Sequence, residues 1–250
     1  MKTTKGAVAL VTALIMIGAA GCGGGGDSEE SKSDASPSAA GADADFVAMS
    51  PEEIKAEVVA DMKALESMSM SASFTSDGQD VGFDLALDTD GTCVGTMTVG
   101  TGSAQILSVN GASYLKGDEA FWDASAGAGQ GKQMQEMLGD RWAKLPAGQG
   151  GFESFCDLDS LLADFGTEDD GSTTVTKGDE GEVDGQPALQ LVTDEDGGST
   201  TVWVATSGED HYILSIERSG EQSGSITLTD FNEPVEATEP SDAEVMDLSS

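Results

Sequence analysis

The side chains best suited to chemistry are three cysteines, one histidine, a glycine-rich loop and several runs of acids. Cys22 follows Ala19-Ala20-Gly21, small residues that let a peptidase reach the bond ahead of it, in the form of a bacterial lipobox with Ala19 where Leu is usual. Upstream stand Lys2 and Lys5, then an apolar run over 7–18. That run is shorter than the ~20 residues a lasting membrane span requires, and the layout is that of a secretory signal. The expectation is a lipoprotein signal over 1–21, cleavage before Cys22, and a diacylglyceryl group on the Cys22 thiol. More than one acyl chain gives a stable anchor, where a single chain holds only marginally. The protein is thereby expected on the outer, extracytoplasmic face of the cell membrane.

With Cys22 lipidated, Cys93 and Cys156 remain. An exported domain permits oxidation, and the pair lacks the CxxC or Cys/His spacing of a metal site, so a Cys93–Cys156 disulfide is expected. His211 is the sole histidine, which excludes a multi-histidine metal centre. It lies in DHYILSIER, where strand alternation accounts for it, and no Gly-x-Ser-x-Gly elbow supplies a nucleophile. The stretch AGAGQGK at 126–132 imitates a phosphate loop, but Gln133 stands where Mg²⁺ binding needs Ser or Thr. A flexible glycine-rich loop is the expectation there. The acidic loops 88–90, 168–170 and 194–196 lack the spacing of an EF-hand, and turns favour Asp for backbone reasons. No metal, no cofactor and no catalytic residue is expected.

Charge narrows the partners. The chain has 46 Asp and Glu against 11 Lys and Arg, a net charge of −35, and losing Lys2 and Lys5 with the leader takes it to −37. Such a chain repels phosphate backbones, so no nucleic-acid partner is expected, nor a basic face docked on anionic lipid. Residues 23–45 contain no large apolar side chain and are rich in Gly, Ser, Ala and Asp. They are expected to form a disordered tether reaching roughly 25–30 Å.

The elements that must position any site follow from periodicity. Ser50-Pro51-Glu52-Glu53 is a helix start with a capping box, and Ile54, Val58, Met62 and Leu65 recur on one face, so a helix of about four turns ends in the Ser/Met run 67–71. The period then becomes two. Strands are expected over 81–87, 92–99, 104–109 and 112–116, with Asp90-Gly91 and Asn110-Gly111 as hairpin turns. Helices over 131–138 and 157–165 flank a short strand at 141–145, and strands over 172–177, 187–193, 200–206, 211–218 and 224–231 complete the pattern. The fold class is α+β, with about nine or ten strands, two or three helices and a domain over 46–235. An acidic tail over 236–250 is expected to be extended.

The large apolar side chains Phe83, Leu85, Ile106, Tyr114, Trp122, Met134, Leu138, Trp142 and Trp203 have two readings. They pack a core, or they line a cavity between helix and sheet in which flexible methionines tolerate varied ligands.

The chain resembles the actinobacterial envelope lipoproteins of the LppX/LprG type, which share the half-barrel of the LolA and LolB carriers. The stretches that carry the resemblance are the lipobox at Cys22, MSPEEIKAEVVADMKALESMSMSASF at 49–74, VNGASYLKGDEAFW at 109–122, GDRWAKLP at 139–146 and ITLTDFNEPVEATEP at 226–240. The resemblance implies a curved antiparallel β half-barrel with helices on its concave side and a cavity for an acyl lipid or glycolipid. The functional expectation is a non-catalytic, membrane-anchored lipoprotein that binds an apolar ligand. The alternative is a cell-surface sensor that meets another envelope protein through a strand edge or its acidic face.

Overall fold

The computed structural model describes residues 43–76, 78–146, 152–164, 174–195, 197–220 and 223–248. The signal segment, Cys22 and nearly all of the tether lie outside the described residues, which belong to one compact unit.

Asp43 caps a short helix, α1 (Ala44–Ala48), which buries Phe46. Helix α2 (Pro51–Met62) begins as the sequence dictates: the Ser50 amide donates to Glu53 Oε2 at 2.9 Å and the Glu53 amide to Ser50 Oγ at 3.3 Å. Such a cap contributes about 1 kcal/mol. Ile54, Val58 and Met62 form the buried stripe of α2.

The chain then does what the Ser/Met run concealed. Residues Ser67–Ser76 form β1, in which Met68, Met70, Ala72 and Phe74 alternate with Ser and Thr across a pleat. An antiparallel meander follows: β2 (Gln79–Asp88), β3 (Cys93–Val99), β4 (Gly102–Val109) and β5 (Ala112–Gly117). Asn110 and Gly111, with φ of 53° and 73°, form the tight turn between β4 and β5. Helices α3 (Glu119–Ala126) and α4 (Gly131–Leu138), strand β6 (Trp142–Leu145) and helix α5 (Leu158–Asp164) come next. A second meander contains β7 (Val175–Val183), β8 (Gln186–Glu195), β9 (Gly198–Ala205), β10 (Ile213–Arg218) and β11 (Gly224–Thr229). Pairing of β1 with β11 joins the two meanders.

The sheet is open and has twelve strands, in the order β12-β6-β5-β4-β3-β2-β1-β11-β10-β9-β8-β7. Strand β12 (Val245–Asp247) lies in the tail expected to be extended, and it pairs parallel with β6 while every other pair is antiparallel. The expected count of nine or ten strands is therefore corrected by β1 and β12, and the expected two or three helices by five α-helices among the described residues. No described helix is long and apolar enough to cross a membrane.

Side chains on one face of this sheet, the inner face, pack with the helices. Met70, Leu85, Ile106 and Leu115 lie in register from β1 to β5, and all are buried in one cluster with Ile54, Met62, Phe121 and Leu158. The two small residues Gly102 and Gly117 let α3 lie on the sheet: a Cβ at Gly102 would fall 2.1 Å from the Phe121 backbone nitrogen. Cys93, on β3, is bonded to Cys156, which holds the approach to α5 onto the inner face.

Candidate ligand-binding site

Register decides which expected site residues share a face, because cross-strand partners in an antiparallel pair point the same way. Phe83, Leu85 and Ile106 are on the inner face, and Trp122 and Leu138 of the α3–α4 hairpin are buried in the same cluster with Met134 packed against it. The Trp122 indole donates to the Gly117 carbonyl at 3.0 Å, and the ring of Phe155 approaches that of Phe83 at 4.5 Å.

The remaining three lie on the opposite face. Tyr114 pairs with Leu107 and Lys144, on the face opposite Ile106 and Leu115, and the ammonium of Lys144 lies 5.8 Å over its ring. Trp142 precedes Ala143, the inner-face partner of Leu115, and therefore faces outward with Tyr114. Trp203 pairs with Gln190 and packs on a separate small cluster of Ala188, Ala205 and Leu214. Strand parity, which follows once a hairpin turn is fixed, places each of them outside.

Burial on the inner face is graded along the strands. The row Met70, Leu85, Ile106 is sealed, whereas Val202, Ile216, Ile226 and Ala72, in register across β9, β10, β11 and β1, are only half-buried. Beyond them, towards the strand ends, come Thr200, Arg218, Gly224 and Phe74, again in register. Ile216 and Ile226 of the first row and all four residues of the second line a groove of about 540 Å³, together with Ser73, Thr75, Ser76, Ser223 and Ser225. None of the nine expected cavity residues lines it. The signal that would have found it is the strand parity of β1, which puts Ala72 and Phe74 on the helix-bearing side.

A smaller groove of about 370 Å³ lies mostly over the outer face, among Ser71, Ser73, Asp84, Thr96, Thr98 and Thr227. It is lined mainly by hydroxyls, and Ser71 Oγ donates to Asp84 Oδ1 at 2.8 Å.

The chemistry-bearing residues take structural places. The His211 ring is buried and stacked on Phe46, with centroids 3.7 Å apart. Its Nδ1 lies 3.3 Å from Glu57 Oε1, and neither ring nitrogen completes a hydrogen bond among the described residues. In the phosphate-loop lookalike, the amides of Gly129 and Gly131 donate to Asp123 Oδ1 at 2.9 and 2.7 Å, so the chain's own carboxylate occupies the donors a phosphate would need. Asp88 accepts from the Thr92 amide at 2.8 Å, a turn role. Of the other two acidic loops, residues 168–170 and Asp196 lie outside the described residues, which hold no group of three potential metal ligands.

The fold is similar to that of a solved bacterial protein. It matches LprF from Mycobacterium bovis with a TM-score of 0.54 at 13% identity, over 80% of this chain and 99% of that one. An uncharacterized conserved protein from Thermus thermophilus overlaps at a TM-score of 0.36 and 8% identity, over 78% and 98% of the two chains. The MucA/MucB complex of Pseudomonas aeruginosa gives 0.32 and 12%, over 77% and 59%. No protein-family model matches the chain. No curated protein matches it in sequence.

Proposed function

We propose that the protein is a non-catalytic extracytoplasmic lipoprotein, anchored through Cys22, that holds an acyl lipid or glycolipid against the inner face of a half-barrel. The observation that carries this reading is a groove of about 540 Å³ over the strand ends, where Phe74, Ile216 and Ile226 supply the apolar lining among six Ser and Thr residues and Arg218. Its volume falls within the roughly 300–1,000 Å³ of ligand pockets. Deeper on the same face, Phe83, Leu85, Ile106, Trp122 and Leu138 are buried in the core with Met134 packed against them, so the ligand is confined to the groove. The only imidazole, His211, is buried under Phe46 and is not offered to a substrate.

The alternative, a protein-docking module that adds a partner's strand to the sheet edge, finds less support. Edge strand β7 carries Lys177, Asp179, Glu180 and Glu182, and its pairing with β8 slips between Lys177 and Glu180. Charges and irregularities of this kind are how sheets discourage edge pairing. The opposite edge, β12, is only three residues long.

Native mass spectrometry of the whole chain, produced with Cys22→Ser in a membrane-containing bacterial host, tests the ligand. A lipid adduct is expected. A clean apo mass with no uptake of a fluorescent fatty acid would overturn the reading in favour of a surface module. The same variant tests the anchor, since it should leave the membrane fraction.

A further inference from the structure

The groove is lined mainly by hydroxyls and carries one charged side chain, Arg218. The chain has only two arginines, Arg141 and Arg218. Arg141 is turned onto its own backbone, with Nε and a terminal nitrogen donating to the carbonyls of Leu138 and Met137 at 3.0 Å each. Arg218 lines the groove, where Nε reaches Thr200 Oγ1 at 3.5 Å. Among the described residues it forms no ion pair with a carboxylate, in a chain with 46 acids.

Resting on the apolar-ligand reading above, we propose that the groove selects a single-chain amphiphile with an anionic head, a carboxylate or phosphate ester, held by the Arg218 guanidinium. The register supports it. Thr200, Arg218, Gly224 and Phe74 follow one another across four strands, so the charge and the aromatic floor are separated by a residue with no side chain. A Cβ at Gly224 would come within 2.9 Å of both Phe74 Cβ and the Ser73 carbonyl oxygen, so glycine keeps that floor open. In the neighbouring row, Ile216 and Ile226 line the groove and offer the surface an acyl chain covers. A guanidinium binds planar or tetrahedral oxyanions through paired donors, and the Thr200 contact to Nε leaves the terminal nitrogens for them. The volume, about 540 Å³, suits one chain.

Global charge then makes both halves of the ligand necessary. A net charge of −35 repels small free anions, while screening over ~8 Å leaves the local guanidinium in control at the groove mouth. An anion carried by an apolar chain gains from burial what it loses to the long-range field.

The test uses the whole chain with Cys22→Ser and two fluorescent probes, dansylamino-undecanoic acid and its methyl ester. The acid is expected to bind about tenfold more tightly than the ester, as a charge-assisted hydrogen bond implies. Arg218→Gln, at an exposed position, should bring the acid to the ester's affinity and leave the ester unchanged. Equal binding of acid and ester to the parent chain, or an unchanged ratio in Arg218→Gln, overturns the head-group assignment while the apolar-ligand reading stands. Binding of neither probe removes both. Displacement of the acid by inorganic phosphate or acetate at the probe's own concentration would reassign the site to a free anion and also overturn the proposal.

Discussion

The phenol of Tyr114 donates a 2.7 Å hydrogen bond to Oε1 of Glu239, a residue 125 positions further along the chain. Asn110 Nδ2 donates to the other carboxylate oxygen at 3.1 Å. These bonds belong to a strap. It leaves β11 where Asn232 donates to the Ser67 carbonyl and ends where Leu248 donates to the Lys144 carbonyl, past β12. Glu239 is held below the ordinary carboxylate range by the Tyr114 and Asn110 bonds, and Tyr114 is pushed up to about 12 by burial and then by the Glu239 bond. The signs define a window. A depressed carboxyl contributes above its unfolded value of ~4.3 and loses that contribution as pH falls through the folded value; a raised phenol contributes fully below ~10 and loses it as pH climbs towards its folded value. Hydrogen exchange of amides 233–248 should show protection between those limits and loss on both sides. Glu239→Gln should flatten the acid limb, and a limb unchanged by that variant would detach the strap from this pair.

The disulfide closes a loop of 63 residues between β3 and the approach to α5. Loop-closure entropy assigns such a bridge roughly 4 kcal/mol, often less in practice. Paired Cys93→Ser and Cys156→Ser substitution is expected to lower the melting temperature by about 8–15 °C for a domain of this size. Thermal unfolding with and without reductant measures it, and denatured but unreduced protein should take up no thiol reagent at either cysteine. Free thiols at both would sink the bridge.

How much of this was legible beforehand depended on whether the signal was local. The Ser50 capping box, the Asn110-Gly111 turn and the 131–138 helix are short-range consequences of residue type, and all are found where the sequence places them. Strand β1 is hidden because the Ser/Met run follows a strong helix, although its alternation is strictly of period two. Strand β12 has three residues and exists only because the strap brings it to β6, a tertiary effect without a local signature. The site suffered similarly. Aromatic size suggested Tyr114, Trp142 and Trp203, whereas face is set by parity, and parity places the half-buried row at Ala72, Ile216 and Ile226.

That distinction has a direct consequence. Trp142→Phe and Trp203→Phe alter the outer face, so they should leave the affinity for an acyl probe within about twofold, under ~0.5 kcal/mol. Ile216→Asp puts a charge into the inner row beside Val202 and Ile226, and should abolish uptake while circular dichroism reports the sheet intact. Loss of uptake in the tryptophan variants with retention in Ile216→Asp would move the ligand to the opposite face.

The α3–α4 turn offers a last test, of the loop that imitates a nucleotide site. Asp123 accepts both the Gly129 and Gly131 amides, and Gly131 sits so close to α3 that a Cβ there would lie 2.0 Å from the Glu119 carbonyl oxygen. The carboxylate is thus a clamp holding the two helices at a contact only glycine permits. Asp123→Ala removes two charge-assisted acceptor contacts, costing about 2 kcal/mol, which corresponds to a fall of roughly 4–8 °C in melting temperature. The parent protein should show no thermal shift with ATP or inorganic phosphate. A shift of several degrees with either in the parent would mean that the anion displaces Asp123, and the loop would then have to be treated as a phosphate site.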